Sequence, residues 1–449
     1  MSSLVRHVAL AAAAVALSAG AQAQLLGGGG LLPPVGLPPV GLPAPTAGLP
    51  VAGPLLQNIL SQPSAQQAIS PTLDSVSGLA SAVAEAGAPT LLELRRLRLQ
   101  ELIRTYRATV ESDDHGMPVR RGIVAVIDPD PLGLQRALGA GFRIAFDDRD
   151  PALGMRVVSL ASPRGLSARD GLKLLHKVAP ELQADLDHLF EPAGAGLLPM
   201  AGALAAAQGI GNGPAIGMID GGVASHPSLA GKSIEQNGFA GSPQPTGHGT
   251  AVASLLVGSQ GPFRGAAGSA RLFVADVYGG NRAAGSATSI ARALGWLSSK
   301  HPQVINVSLV GPANLIVQRA IQIVQSRGIK VVAAVGNDGP AAPPQYPASY
   351  PGVIAVTAVD ANGRALPEAG KPVHLDFAAP GADMAAALPG NGYARVRGTS
   401  FAAPLAAARL LSTGSAEALA AEARPGKGRV GRGIVCGPCR IDPRSVGAK

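Results

Sequence analysis

Ala215-Ile216-Gly217-Met218-Ile219-Asp220-Gly221-Gly222-Val223 is a short apolar run that ends in a carboxylate and a glycine turn. It is too short for a helix and shows no polar alternation, as suits a strand covered on both faces. Comparable runs follow at Leu272–Val277, Val304–Leu309, Lys330–Val335 and Val353–Val359. Stretches with helical spacing, Ser286–Lys300 and Ile316–Arg327, separate them. Strands alternating with helices predict an α/β fold, a parallel sheet with helices on both faces. Ligands in such folds sit beyond the carboxyl ends of the strands, where Asp220 and Asn337 both fall.

Upstream the pattern changes. Residues 120–192 read strand, helix, strand, strand, helix, strand: Gly122–Ile127, Pro131–Gly139, Phe142–Phe146, Arg156–Leu160, Ser167–Ala179 and Asp185–Phe190. That order is the ferredoxin-like split arrangement of an α+β unit. Ser167 is placed as an N-cap, with Asp170 three residues on. Before this unit a helix is expected over Thr90–Val110, with Leu91, Leu94, Leu97 and Leu102 as its apolar stripe and Arg95, Arg96 and Arg98 between them. Asp113-Asp114-His115-Gly116 reads as a turn.

The amino-terminal region has a different composition. Residues 1–23 resemble a secretory signal: Arg6 and His7, the short apolar core Val8–Leu17, then Ala21-Gln22-Ala23. Residues 24–89 read as a disordered Pro/Gly-rich linker in which Pro34-Val35-Gly36-Leu37-Pro38 recurs at 39–43. The expected compartment is therefore outside the cytoplasm, periplasmic or extracellular, with no membrane span once the signal is removed. Residues 193–212 are Gly- and Ala-rich and uncharged, as suits a boundary with a processing site. A catalytic region over 213–435 and a tail over 436–449 complete the division.

Across 449 residues, 47% are apolar but only 3% aromatic and 14% charged, with 59 Gly and 39 Pro. No Gly-X-Y period exists, which excludes collagen, and a single long apolar run excludes a polytopic membrane protein. The net charge of +9 sits mainly on residues 213–435, with 18 basic against 10 acidic groups. Those charges are dispersed and not interleaved with aromatics, so nucleic acid is not an expected partner. Cys436 and Cys439 are the only cysteines, and no disulfide framework is available. Their Cys-Gly-Pro-Cys spacing matches a redox motif by letters, but it lies in a tail, and a local disulfide is the expectation.

Three motifs carry the chemistry: Ile219-Asp220-Gly221-Gly222-Val223, Thr246-Gly247-His248-Gly249-Thr250, and Gly398-Thr399-Ser400-Phe401-Ala402-Ala403-Pro404. Each alone would be a cap or a turn. Together, in the order Asp, His, Ser and with the last two opening helices, the chain resembles the subtilisin-like serine proteases, the subtilases. Val304–Leu309, Ala333–Asn337, Tyr346–Pro351, Phe377–Gly381 and Gly431–Val435 carry the same resemblance.

That resemblance implies Ser400 as nucleophile, His248 as general base and acid, and Asp220 as its orienting carboxylate. It also implies Asn337 as oxyanion donor beside the Ser400 N–H. Ser308 and Leu309 would bind an extended substrate, and Ala334 and Gly336 would wall the pocket for the residue before the cut. No cofactor is required for this chemistry; the resemblance leaves room for structural calcium, whose site the compact catalytic region does not allow to be assigned. Protein or peptide substrates are the expected partners, together with the chain's own prodomain, residues 90–192, as inhibitor and chaperone. Self-cleavage is expected between Glu191 and Asn212. Two residues depart from the family pattern: Val310 stands where Gly is usual, and Gly222 where Thr is usual. Those departures leave a second reading, a catalytically silent subtilase-fold binding protein of the cell envelope. Tyr278 and Trp296 are expected in the core.

Overall fold

The structure is a computed structural model, in which residues 90–193, 203–205 and 212–448 are described. The signal, the linker over 24–89 and most of the 193–212 segment lie outside the described residues. Among the described residues, no helix is long and apolar enough to cross a membrane.

The N-terminal unit opens with α1 (Leu91–Thr105), started by a capping box between Thr90 and Glu93. It is shorter than the Thr90–Val110 expected, because Val110 already belongs to strand β1 (Val110–Ser112), paired with β2 (Pro118–Ile127). Leu99 and Leu102 are its buried residues, whereas Leu94 is exposed. After β2 come α2 (Pro131–Gly139), β3 (Arg143–Asp150), β4 (Met155–Ala161), α3 (Ala168–Val178) and β5 (Gln183–His188). The antiparallel order β5-β2-β4-β3 is that of the split β-α-β arrangement, and β1 adds to the other end of β2. Ser167 caps α3 by accepting from the Asp170 N–H, as expected. Val124, Val126, Val158, Leu160 and Leu175 form its small core.

The larger part is built on seven parallel strands. They are β7 (Ala215–Asp220), β8 (Ile234–Gly238), β9 (Arg271–Asp276), β10 (Val304–Val307), β12 (Lys330–Ala334), β13 (Ile354–Val359) and β14 (Phe377–Pro380). β6 (Glu191–Pro192) and β11 (Leu309–Val310) are two-residue strands outside this sheet. The spatial order is β14-β13-β12-β10-β7-β9-β8. Helices α4 (Gly247–Val257), α5 (Ala287–Ser299), α6 (Leu315–Ser326) and α7 (Thr399–Thr413) belong to this part. Every residue of β7, β10, β13 and β14 is buried, which is why these strands read as continuous apolar runs. Tyr278 is buried, and Trp296 packs against Phe239 and Phe273. Cys436 and Cys439 form a disulfide, and Ile441 of the tail packs into the same core while its carbonyl accepts from the Ala385 N–H.

The two parts meet through helix N-termini. Asp187 of β5 accepts from the N–H and hydroxyl of Thr288 in the first turn of α5. Asp185 accepts from the Leu315 N–H at the start of α6. A carboxylate there offsets both the orphan donors and the helix dipole. Burial pushes the Asp185 carboxyl above its ordinary pKa despite these bonds. Asn314, the N-cap of α6, donates to the Leu186 carbonyl and to Nδ1 of His188. These contacts aim the chain after β5 along the larger part.

Gly222 has a physical reason. A Cβ there would stand 2.4 Å from the Gln244 carbonyl oxygen and 2.7 Å from its carbon, both backbone atoms that cannot swing away. Gly222→Thr is expected to destabilise the chain by about 1–3 kcal/mol, as overpacking does. Thermal melting in a Ser400→Ala background, which removes the expected nucleophile, checks this. An unchanged midpoint would refute the steric account.

Candidate active site

Asp220 is the last residue of β7, and His248 is the second residue of α4. α4 starts there because the Thr246 hydroxyl accepts from the Gly249 N–H, while its methyl-bearing side chain fills the space beside Gly221. The His248 Nδ1–H donates to Asp220, 2.9 Å from each carboxylate oxygen. Both residues are almost fully buried. This bond fixes the tautomer that leaves Nε2 as an acceptor.

Ser400 opens α7, whose N-cap is Gly398. Gly398 has φ +140°, and a Cβ on it would stand 2.9 Å from Asn337 Nδ2, so only glycine suits the position. Three contacts hold this helix start. Asn337 Oδ1 accepts from the Thr399 N–H, the Ser308 hydroxyl donates to the Ser400 carbonyl, and the Gly336 N–H donates to Thr399 Oγ1. Asn306 in turn donates to the Ser308 hydroxyl. Among the described residues, His248 Nε2 and Ser400 Oγ are both buried and without a hydrogen-bond partner. Buried polar atoms are nearly always paired, so two orphans next to an Asp–His pair mark a place for chemistry.

With Oδ1 committed to Thr399, the Asn337 amide turns Nδ2 outward, and it donates to the carbonyl of Ala193. Ala193 follows β6 (Glu191–Pro192), which runs antiparallel to β11 (Leu309–Val310) in the register Leu309↔Pro192 and Val310↔Glu191. The Ala193 N–H donates to the Ser308 carbonyl at 2.9 Å. The peptide thus joins the larger part as an added strand, and Val310 does not prevent the approach. Phe190 is fully buried: its ring lies over Gly311, its N–H donates to the Gly285 carbonyl, and its own carbonyl accepts from the Tyr278 hydroxyl. Tyr278 is thus a core residue with a polar end on the bound segment. Burial, with Asp220 and Glu191 nearby, pushes its hydroxyl well above the ordinary tyrosine pKa, so it stays a donor.

Of the residues singled out in the sequence, Asp220 and His248 are bonded, and Ser400 and Asn337 are linked through Thr399. Ser308 and Leu309 contact the Glu191–Ala193 segment. Ala334 is buried at the end of β12, and Gly336 packs near Gln345 and Val310. Sequence reasoning missed Phe190, Gly285, Gly311 and the role of Tyr278. Their only sequence signal is a large apolar residue shortly before an uncharged linker.

Comparison with known proteins identifies the family. Residues 211–419 match the model of the subtilase family, Peptidase_S8. Subtilisin Savinase of Lederbergia lenta is 35% identical over 199 residues, which is 43% of this chain and 73% of that protein. Thermitase of Thermoactinomyces vulgaris is 34% identical over 210 residues, covering 43% and 72%. An alkaline protease of Shouchella clausii is 35% identical, and there the match spans only 52% of the relative's length. Among solved structures, fervidolysin from Fervidobacterium pennivorans shares the fold with a TM-score of 0.60 at 19% identity, covering 76% of this chain and 62% of that one. The chain belongs to the subtilase family of serine proteases.

Proposed function

We propose that this chain is an exported serine endopeptidase made as a self-processing zymogen. The observation that carries the reading is the carbonyl of Ala193 on Asn337, above a buried Asp220–His248 pair and Ser400. Ser400 Oγ attacks the carbonyl carbon of the residue seated where Ala193 sits. Its proton passes to His248 Nε2, and Asp220 stabilises the imidazolium that results. The carbonyl oxygen, now an oxyanion, is held by Asn337 Nδ2 and the Ser400 N–H at the start of α7. His248 then protonates the departing amine, the C–N bond breaks, and water hydrolyses the ester by the reverse sequence. In the resting geometry the Ser400–His248 bond is not made. Such bonds commonly tighten only as the reaction proceeds.

Residues 90–193 then act as the prodomain, and their last four residues act as the first substrate. Self-cleavage falls after Ala193, within the Glu191–Asn212 window expected from sequence, leaving a carboxylate on Ala193 and an ammonium on Gly194. Ser308 and Leu309 supply backbone partners to protein or peptide substrates, and Ala334 and Gly336 wall the pocket for the residue before the cut. No cofactor enters these steps. Among the described residues no cluster of His, Cys, Asp and Glu would hold a metal ion.

A fluorophosphonate probe tests the reading. Labelling of the processed chain that disappears in Ser400→Ala supports the enzyme. A folded, processed chain that does not label supports a binding protein instead. Fragment masses test the cut: a new N-terminus other than Gly194 would overturn its placement. A further outcome concerns the pocket of Phe190. Gly311→Leu puts side-chain atoms where a Cβ alone would lie 2.5 Å from the Phe190 ring. Losing burial of an aromatic side chain there is expected to slow self-cleavage by about tenfold or more. It should lower kcat/KM similarly for peptides with an aromatic fourth from the cut. Equal rates for Phe and Ala peptides on the parent enzyme would refute this pocket.

A further inference from the structure

The helix before the split β-α-β unit is not needed to build that unit's core, yet it is docked on the larger part. Resting on the zymogen reading above, we propose that α1 is an ionic clamp that retains the cleaved prodomain, with Arg98 bridging the tail residue Glu191 to Asp338 of the protease.

The geometry is specific. Arg98 Nε donates to Glu191 Oε2 at 3.2 Å, and its terminal nitrogen donates to Asp338 Oδ1 at 3.0 Å and Oδ2 at 3.3 Å. Arg95 Nε donates to the same Asp338 at 3.1 Å, with side-chain exposures of 12% and 8%. Asp338 directly follows Asn337, the donor on the Ala193 carbonyl, and Glu191 lies two residues before Ala193. One guanidinium therefore ties the inhibitory strand to the loop carrying the oxyanion donor. The planar fork of arginine suits this double engagement, which lysine would not reproduce. Although burial opposes its charge, the two carboxylates outweigh that effect and hold Arg98 protonated.

Apolar contacts fix the helix at both ends. Leu91 packs against Gly339, the residue after Asp338. Leu102 clusters with Val110, Leu189 and Ala283. The helix thus reaches from the loop at 338–339 to the turn at 282–284, across residues Leu189–Glu191. Arg282 of that turn places a second cation near Glu191, 3.4 Å away. When the bond after Ala193 is cut, every one of these contacts survives, because each joins residues up to 193 to residues from 282 onward and none involves the segment that follows the cut. Cleavage alone does not open the cleft, and release requires α1 to let go of Asp338.

The test uses the full chain. Wild type, Arg95→Gln/Arg98→Gln and Glu191→Gln are followed by intact mass for the cut, and by size exclusion and a fluorogenic peptide for release. The double variant is expected to lose its N-terminal fragment at least tenfold faster after cutting, and Glu191→Gln to fall between it and wild type. Salt adds a readout that a purely structural helix would not give. Raising ionic strength should speed release from wild type markedly more than from the double variant, which lacks the Arg95 and Arg98 bridges and keeps, among the described residues, only the weaker Arg282–Glu191 and Arg292–Asp148 pairs across the two parts. Should the double variant fail to fold, Glu191→Gln and the salt series carry the test. Release at wild-type rate from cut variants, or an equal salt effect on both chains, overturns the clamp alone. A wild-type chain that never cuts after Ala193 overturns the zymogen reading and the clamp with it.

Discussion

Ser400→Ala is expected to leave the chain whole and to abolish peptide hydrolysis, with kcat reduced roughly a millionfold, the scale measured for removing the nucleophile of a subtilisin. The fold should survive, since Ser400 Oγ makes no hydrogen bond among the described residues while the Ser400 carbonyl keeps its bond from Ser308. The variant should show one intact mass and no fluorophosphonate label. His248→Ala should cost a similar factor, and the double variant little more, because nucleophile and base act as one unit. Additive losses in the double variant, or fragments ending at Ala193 in Ser400→Ala alone, would refute these assignments.

Asn337→Ala is expected to cost about 10²–10³ in kcat, with KM little changed, as loss of one oxyanion donor does in subtilisin. Asn337 has two faces. Nδ2 donates to the Ala193 carbonyl, while Oδ1 holds the Thr399 N–H at 3.0 Å, beside Ser400. Asn337→Asp separates them: the carboxylate still accepts from Thr399 but turns an acceptor toward the oxyanion. It should be at least as slow as the alanine variant. If Asn337→Asp retained wild-type kcat, the role of Asn337 would be to brace the helix start rather than to bind the oxyanion. Steady-state kinetics on a peptide, with melting curves to exclude misfolding, decide it.

Much of the sheet was legible because β7, β10 and β13 are buried on both faces and therefore apolar throughout. β8 was not, because only Ile234 of its five residues is buried and the rest is polar edge. The hairpin Met384–Ala387 with Tyr393–Val396 escaped as well, since its first strand is mostly alanine, a helix former by propensity. The helix before the N-terminal unit was found, but its end was misplaced: Val110 pairs with Arg120, a contact that local spacing does not reveal. Its leucine stripe also misled, because Arg95 and Arg98 point into contacts while Leu94 faces solvent. Asp220, His248 and Ser400 stood out as candidates because glycines and helix starts surround them. The pocket for Phe190 was not, because Tyr278, Gly285 and Gly311 come together only through the fold.

The strand Glu191–Pro192 and Ala193 belong to the same chain as the cleft they occupy. If the chain processes itself as proposed, encounter is already complete before any reaction, and the first cut is expected to be a first-order event. Its half-time should be the same at nanomolar and micromolar protein, whereas every later cut depends on how often two molecules meet. Dilution thus separates the chain's first act as an enzyme from all that follow.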